Sequence, residues 1–237
     1  MLKKILVFLW ASMFAVILLI AGLFFAISRG WIGYLPDINE LQNPTYKFAS
    51  QIISADGKTL GTWSYSKENR VFVDYKDISP NLIKALIATE DVRFYDHSGI
   101  DAKAIVRALV KRQLLGQMNA GGGSTITQQL AKQLYTKVER SESKRMMQKP
   151  IEWFIAVQLE RYYTKEEILT MYLNYFDFLY TGVGIKNAAR TYFGKTPIEL
   201  NLNECATLIG MCKNPSYYNP YRRSEGQFIA NERCRER

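Results

Sequence analysis

The stretch Ala85–Asp101, ALIATEDVRFYDHSGID, ends an apolar run on two adjacent carboxylates, Glu90 and Asp91. Within NLIKALIATE, residues Leu82, Ile83, Leu86 and Ile87 share one face, which predicts a helix closing at the acids. Phe94, the chain's only histidine (His97) and Gly99 follow at once. An arbitrary acid pair at a helix end is ordinarily a solvated terminus. Here the apolar residues ahead of Glu90 would partly desolvate it, a setting that suits a general base.

Outward from this point the helical period dominates. DAKAIVRALVKRQLL predicts a second amphipathic helix closing at Gly116, and three glycines then break the chain. Thr125 with Gln128 predicts a capping box opening the next helix, and Thr164 with Glu167 opens another. Gly194 reads as a C-cap, Pro197 as the first residue of a short helix, and Asn201 with Glu204 as the start of the last clear helix. Pro150, inside MMQKPIEWFIAVQLE, must begin a helix or kink one. Toward the N-terminus, Phe48–Val73 reads as strands. ADGK is a hairpin signal between SQIIS and TLGTWSY, and RVFV is a third strand candidate. The expected fold is mostly α-helical with a small β-hairpin.

Ile5–Ile27 runs 23 residues without a charge. As a helix it would extend roughly 35 Å, enough to cross a hydrocarbon core of ~30 Å with some tilt. It exceeds the apolar length of a cleaved signal peptide, so an uncleaved anchor is expected. Lys3 and Lys4 precede the span and Arg29 follows, a bias that places the N-terminus in the cytoplasm. The expected organisation is a cytoplasmic tip and anchor over 1–30, a linker over 31–47, and one domain over 48–237. The chain stops at ANERCRER, in a charged helical pattern without a stop signal, as expected of a truncated C-terminus.

The net charge of +9 suits nucleic acid, an anionic membrane surface or an anionic substrate. A domain tethered outside a bilayer makes nucleic acid the poorest of these, and phosphate-bearing lipids the best. Cys205, Cys212 and Cys234 are too few for a disulfide framework; the first two, seven apart in an apolar helical pattern, are expected to face the core. A lone histidine offers no second ligand at metal spacing, so no protein metal site is expected, and His97 reads as a structural hydrogen-bonding residue. Phe94 reads as core rather than as a sugar platform. Two Ser-x-x-Lys matches, Ser64–Lys67 and Ser141–Lys144, lack the accompanying Ser-x-Asn and Lys-Thr-Gly elements and read as chance.

Five segments, in order, carry a resemblance: EDVRFYDHSG, GGSTITQQLAKQLY, QKPIEWFIAVQLE, KEEILTMYLN and GVGIKNAARTYFGK. Together they resemble the five motifs of glycosyltransferase family 51, the peptidoglycan glycosyltransferases found alone or as the first domain of class A penicillin-binding proteins. The resemblance runs from about Phe48 to Tyr221. It implies a lysozyme-like helical domain that polymerises lipid II into β-1,4-linked glycan with inversion and release of undecaprenyl pyrophosphate. The implied location is the outer face of the bacterial cytoplasmic membrane. The implied partners are lipid II, the growing glycan strand, membrane lipids and other cell-wall synthesis proteins. No protein-held cofactor is implied, with Mg2+ at the substrate pyrophosphate left open.

That reaction needs a base for the attacking sugar hydroxyl and cations for the departing pyrophosphate. The resemblance assigns the base to Glu90 and makes Glu152 the second acid. Asp91 is expected to orient neighbours or bind sugar. Ser124 and Thr125, at a helix start that favours anions, join Gln128, Gln129 and Lys132 as substrate contacts. The family pattern Arg-Lys-x-x-Glu appears as Gln148-Lys149-x-x-Glu152, so the lysine matches and the arginine does not. A further family arginine falls on Lys144, which with Lys149 completes the expected cationic set; Arg140 or Arg145 could also supply the charge. By spacing alone Glu160 could face solvent. The segment LVKRQLLGQMNA reads as a core helix by default, and the resemblance makes it a mobile flap beside the bilayer. Two other readings fit an acid pair: a lysozyme-like hydrolase, and a non-catalytic anchored scaffold that binds cell-wall precursors.

Overall fold

Helix α1 spans Leu2–Ser28, and its apolar side chains stay exposed along nearly the whole length. It is long and apolar enough to cross a membrane, with a mean hydropathy of 2.7. Its last turn changes character: Ile27 is completely buried and belongs to the core of the following domain. The computed structural model describes residues 2–37, 40–41, 49–57, 59–63, 69–113, 123–136 and 142–221. Beyond α1, Ile32 and Leu35 pack on the core, and Leu41 enters it. Gly33 lies so close to Ile151 that an added methyl carbon would stand 2.2 Å from its Cδ1.

The expected hairpin forms. Strand β1 (Ser50–Ile53) pairs antiparallel with β2 (Thr59–Trp63), Ser50 opposite Trp63, with an irregularity after Ile52. The Gly57 N–H closes the turn on the Ser54 carbonyl at 2.9 Å. The third strand does not form. Among the described residues, 70–73 carry one backbone bond, from the Ala49 N–H to the Arg70 carbonyl at 2.7 Å, and the side chain of Asn174 takes both polar groups of Val73: the Val73 N–H donates to Oδ1, and Nδ2 donates to the Val73 carbonyl, each at 2.9 Å. A side chain has replaced the neighbouring strand.

The body is helical: α2 (Pro80–Glu90), α3 (Ala102–Gln113), α4 (Ile126–Tyr135), α5 (Glu142–Tyr162), α6 (Lys165–Tyr175), α7 (Ile185–Phe193) and α8 (Leu202–Lys213). α4 packs against α5 and α6, and α2 against α8. Leu82, Leu86, Ile126, Leu130, Ile155, Leu159, Ile168, Leu169 and Leu208 are fully buried where these faces meet. Each such side chain stabilises the fold by about 1.5–3 kcal/mol relative to exposure.

Most helix ends follow the sequence. Thr164 and Glu167, and Asn201 and Glu204, form reciprocal capping boxes, and Gly194 ends α7 in the left-handed conformation. Pro197 opens a single 3-10 turn, itself capped by Thr196 and Glu199. Pro150 lies well inside α5, which begins at Glu142, so it does not open that helix. Cys205 and Cys212 are buried thiols on α8. Residues 114–120, the centre of the flap expectation, and Cys234 lie outside the described residues, as do the side chains of Lys111, Arg112 and Lys144.

Candidate active site

The two adjacent acids take opposite paths because α2 stops between them. Glu90 is the last residue of the helix, while Asp91 is its C-cap in a non-helical conformation (φ −155°, ψ 74°). That turn drives the Asp91 side chain into the protein, leaving the residue 7% exposed. There it accepts from the Ile126 N–H at 3.1 Å, so a carboxylate sits on the N-terminus of α4 where the helix dipole favours it. His97 Nε2 reaches the same carboxylate at 3.0 Å. The Gly99 N–H donates to His97 Nδ1 at 3.2 Å, which identifies Nε2 as the protonated nitrogen donating to Asp91. Asp91 therefore orients the loop and α4 from inside, and its carboxylate is not presented at the surface.

Gly99 joins three elements. Its carbonyl accepts from Thr125 Oγ1 at 2.7 Å and from Gln128 Nε2 at 3.1 Å. Its backbone presses on α5 so closely that a Cβ would lie 2.9 Å from the Ala156 carbonyl carbon and oxygen, and φ is +91°. Only glycine satisfies both demands. The capping box expected at Thr125 is only half present. Thr125 Oγ1 accepts from the Gln128 N–H at 3.1 Å, but the Gln128 side chain bonds Gly99 instead of returning to Thr125. Thr125 and Gln128 are both about 1% exposed, so they build the site without lining it. Ser124 is half-buried just ahead of α4.

Glu90 stays half-buried, and its Oε2 accepts from Gln129 Nε2 at 2.9 Å. The other end of that amide, Oε1, accepts from the Tyr172 hydroxyl at 3.0 Å. Lys132, one turn further along α4, is half-buried and forms no ion pair among the described residues. On α5, Glu152 is 2% exposed and is met by Lys149 Nζ at 2.6 Å, while the lysine side chain itself is 43% exposed. Gln148 is half-buried and Arg145 exposed on the same helix.

Glu160, which spacing alone could place in solvent, is half-buried, with its side chain only 6% exposed. Its carboxylate accepts from Lys165 Nζ at 2.8 Å and from Thr127 Oγ1 at 2.6 Å. Lys165 also donates to the His97 carbonyl at 2.6 Å and lies 4.3 Å from the centre of the Phe94 ring. Phe94 is completely buried, so it is core, as expected. On the loop's other side Arg93 holds Asp101 in a forked pair, with contacts of 2.7 and 2.8 Å. Burial pushes the Asp101 carboxyl up, but the Ala104 N–H and Arg93 outweigh it and hold it below the usual carboxylate range.

A carboxylate oriented by a neutral amide stands beside a helix whose Lys132 forms no ion pair among the described residues and which packs on the helix of a second acid–lysine pair, a set of groups that could serve proton removal opposite an anionic leaving group. Residues 56–236 match the transglycosylase family. The chain belongs to that family, the peptidoglycan glycosyltransferases. Among this transglycosylase's relatives, penicillin-binding protein 1A of Escherichia coli is 41% identical over 204 residues, 86% of this chain and 23% of that protein. Penicillin-binding protein 2a of Streptococcus pneumoniae (strain D39) is 40% identical over 203 residues, 84% of this chain and 26% of that protein. Penicillin-binding protein 1A of Aquifex aeolicus is 39% identical over 187 residues, 79% and 25% respectively. The chain thus spans about a quarter of the length of the curated relatives it matches.

Sequence reasoning on this transglycosylase missed Tyr172, Glu160 and Lys165. The apolar pattern of α6 hid the tyrosine, which looks like any other core aromatic there. A charged pair five residues apart across a helix break, Glu160 and Lys165, gave no periodic signal of burial.

Proposed function

We propose that this chain polymerises lipid II into β-1,4-linked glycan on the outer face of the cytoplasmic membrane. The observation that carries the reading is Glu90: a half-buried carboxylate at a helix end, oriented by Gln129, on the flank of the helix that carries Lys132. The acceptor sugar's 4-hydroxyl gives its proton to Glu90 as its oxygen attacks the donor's anomeric carbon. The bond from that carbon to the lipid pyrophosphate breaks with the electron pair going to the phosphate oxygen. One displacement inverts the α linkage to β, so no glycosyl-enzyme intermediate is needed. Lys132 and Lys149 supply positive charge to the departing pyrophosphate, and Lys149 leaves its pair with Glu152 in part to do so. Lys144 and Ser124 complete the proposed substrate contacts. Among the described residues no three histidine, cysteine or acidic side chains cluster as a metal site. A Mg2+ ion on the pyrophosphate would therefore be held chiefly by the substrate's own oxygens.

Helix α1 would span the bilayer with Lys3 and Lys4 in the cytoplasm, leaving the domain outside beside its lipid-linked substrate. Ile27, buried in the domain core at the end of α1, would fix the height of the site above the membrane. Partners on this reading are lipid II, the growing strand, the surrounding lipids and other cell-wall synthesis proteins. Incubating the purified chain with lipid II, as wild type and as Glu90→Gln, tests the reading. Long glycan from wild type and none from the variant is the expected result. Shortening of added peptidoglycan would instead identify a hydrolase, and no turnover of either substrate a scaffold.

A further inference from the structure

We propose that Tyr172 is a positioning residue for the reaction: it sets the orientation of Gln129 and thereby holds the carboxylate of Glu90. The inference rests on the reading of Glu90 as the base. Tyr172 lies on α6, 43 residues from Gln129 in sequence, and is fully buried. Its hydroxyl donates to Gln129 Oε1 at 3.0 Å, and Gln129 Nε2 donates to Glu90 Oε2 at 2.9 Å.

The direction of every bond in this chain follows from its ends. An ionised carboxylate only accepts, so Gln129 must turn its NH2 toward Glu90 and its oxygen toward Tyr172. Tyr172 has one proton and gives it to that oxygen. Burial pushes the tyrosine hydroxyl well above its usual range, aided by the nearby Glu90 charge, so it remains protonated. A buried tyrosine needs a partner in any case, and a backbone carbonyl would serve. Here the partner is the far end of the amide that holds the reactive carboxylate. Because the amide turns as a rigid unit, a group that fixes Oε1 also fixes Nε2. Without the hydroxyl, a half-turn of Gln129 would set one acceptor against another at Glu90.

The test uses the membrane-anchored chain in detergent with lipid II. Tyr172→Phe keeps the ring and removes only the hydroxyl. Its kcat should fall about tenfold, comparable to one hydrogen bond to a charged group, with KM within about twofold. Loosening the donor to a carboxylate disfavours its charged form, so the acidic limb of the kcat/KM profile should move to higher pH. In a Gln129→Met background the tyrosine has no amide to orient. There Tyr172→Phe should change neither the rate nor the limb by more than about twofold. Tyr172→Met, which also fills the core and lacks the hydroxyl, carries the same comparison if Tyr172→Phe does not fold.

A lowered melting temperature with wild-type rate and pH profile would make Tyr172 merely structural and overturn the proposal. Equal losses with and without Gln129 would do the same. Glu90→Gln, measured alongside, separates the two readings. Substantial activity in that variant removes the base assignment itself, whereas an inactive Glu90→Gln beside an unaffected Tyr172→Phe removes only the positioning role.

Discussion

Glu90 and Glu152 are held by opposite means. Glu90 keeps part of its surface in the open and is oriented by neutral groups rooted in the core, Gln129 and behind it Tyr172. Glu152 is almost wholly buried and is answered by a charge, the half-exposed Lys149. A neutral amide orients a carboxylate without neutralising it, which leaves the group free to take a proton. An ion pair one turn long anchors a buried acid while keeping a mobile cation near the surface, where a phosphate can compete for it. On the proposed reading, the proton-taking side is the rigid one, held by hydrogen bonds from the core, and the leaving-group side is cationic and partly exposed.

Breaking the rigid side should cost most. Glu90→Gln preserves size and hydrogen-bonding to its surroundings but removes the base. Glycan polymerisation should fall by ~10²–10⁴-fold while the melting temperature stays near wild type. Activity within a few-fold of wild type would end the assignment. On the open side, Lys132→Ala should lower kcat by roughly 10- to 100-fold with a smaller change in KM, because charge on the pyrophosphate grows toward the transition state. An effect confined to KM would make Lys132 a ground-state anchor.

Lys149→Ala sharpens the contrast through stability. It strips the partner from a buried carboxylate, so chemical denaturation should show a loss of about 1–3 kcal/mol that Glu90→Gln lacks. Lys149→Ala combined with Glu152→Gln should recover much of that loss, and strictly additive values would show that the pair is not coupled. The smallest activity effect concerns Gln148, where the family pattern has arginine. Gln148→Arg should hold activity within about threefold, and removing Lys144 or Arg145 should cost less in that variant than in wild type, with coupling of about 0.5–3 kcal/mol. Additive effects for both lysine and arginine would mean that neither substitutes for the missing guanidinium.

Asp101 provides a pH-dependent control away from both acids. Its folded carboxyl lies below the ordinary range, so its pairing with Arg93 stabilises the protein above a pH of about 4 and that stability is lost as pH falls through the lower folded value. Asp101→Asn should therefore flatten the stability profile at acidic pH and leave the neutral-pH glycan product unchanged in kind. An unchanged acidic slope would show that Arg93 contributes little there.

Much of this molecule is written in short-range pattern. The sequence alone determined where α1 crosses from charged to apolar residues, where the hairpin turns, and where α6, α7 and α8 begin or end. Caps such as Thr164 with Glu167 or Asn201 with Glu204 join residues three apart, and that distance is visible in the letters. The ordered motifs likewise pointed to Glu90, Glu152 and the lysines as a group. Tertiary structure alone decided what each acid does. Asp91 turns inward because α2 ends at Glu90; the Glu160 side chain is shielded where Lys165 and Thr127 meet it; at the end of RVFV, Asn174 takes the hydrogen bonds of Val73 that a neighbouring strand would need. The bond from Gln129 to Glu90 spans 39 residues and the one from Tyr172 to Gln129 spans 43, so no periodicity connects them. Local geometry is set by neighbours in the chain, whereas a carboxylate's protonation and orientation are set by whatever the packed core brings against it.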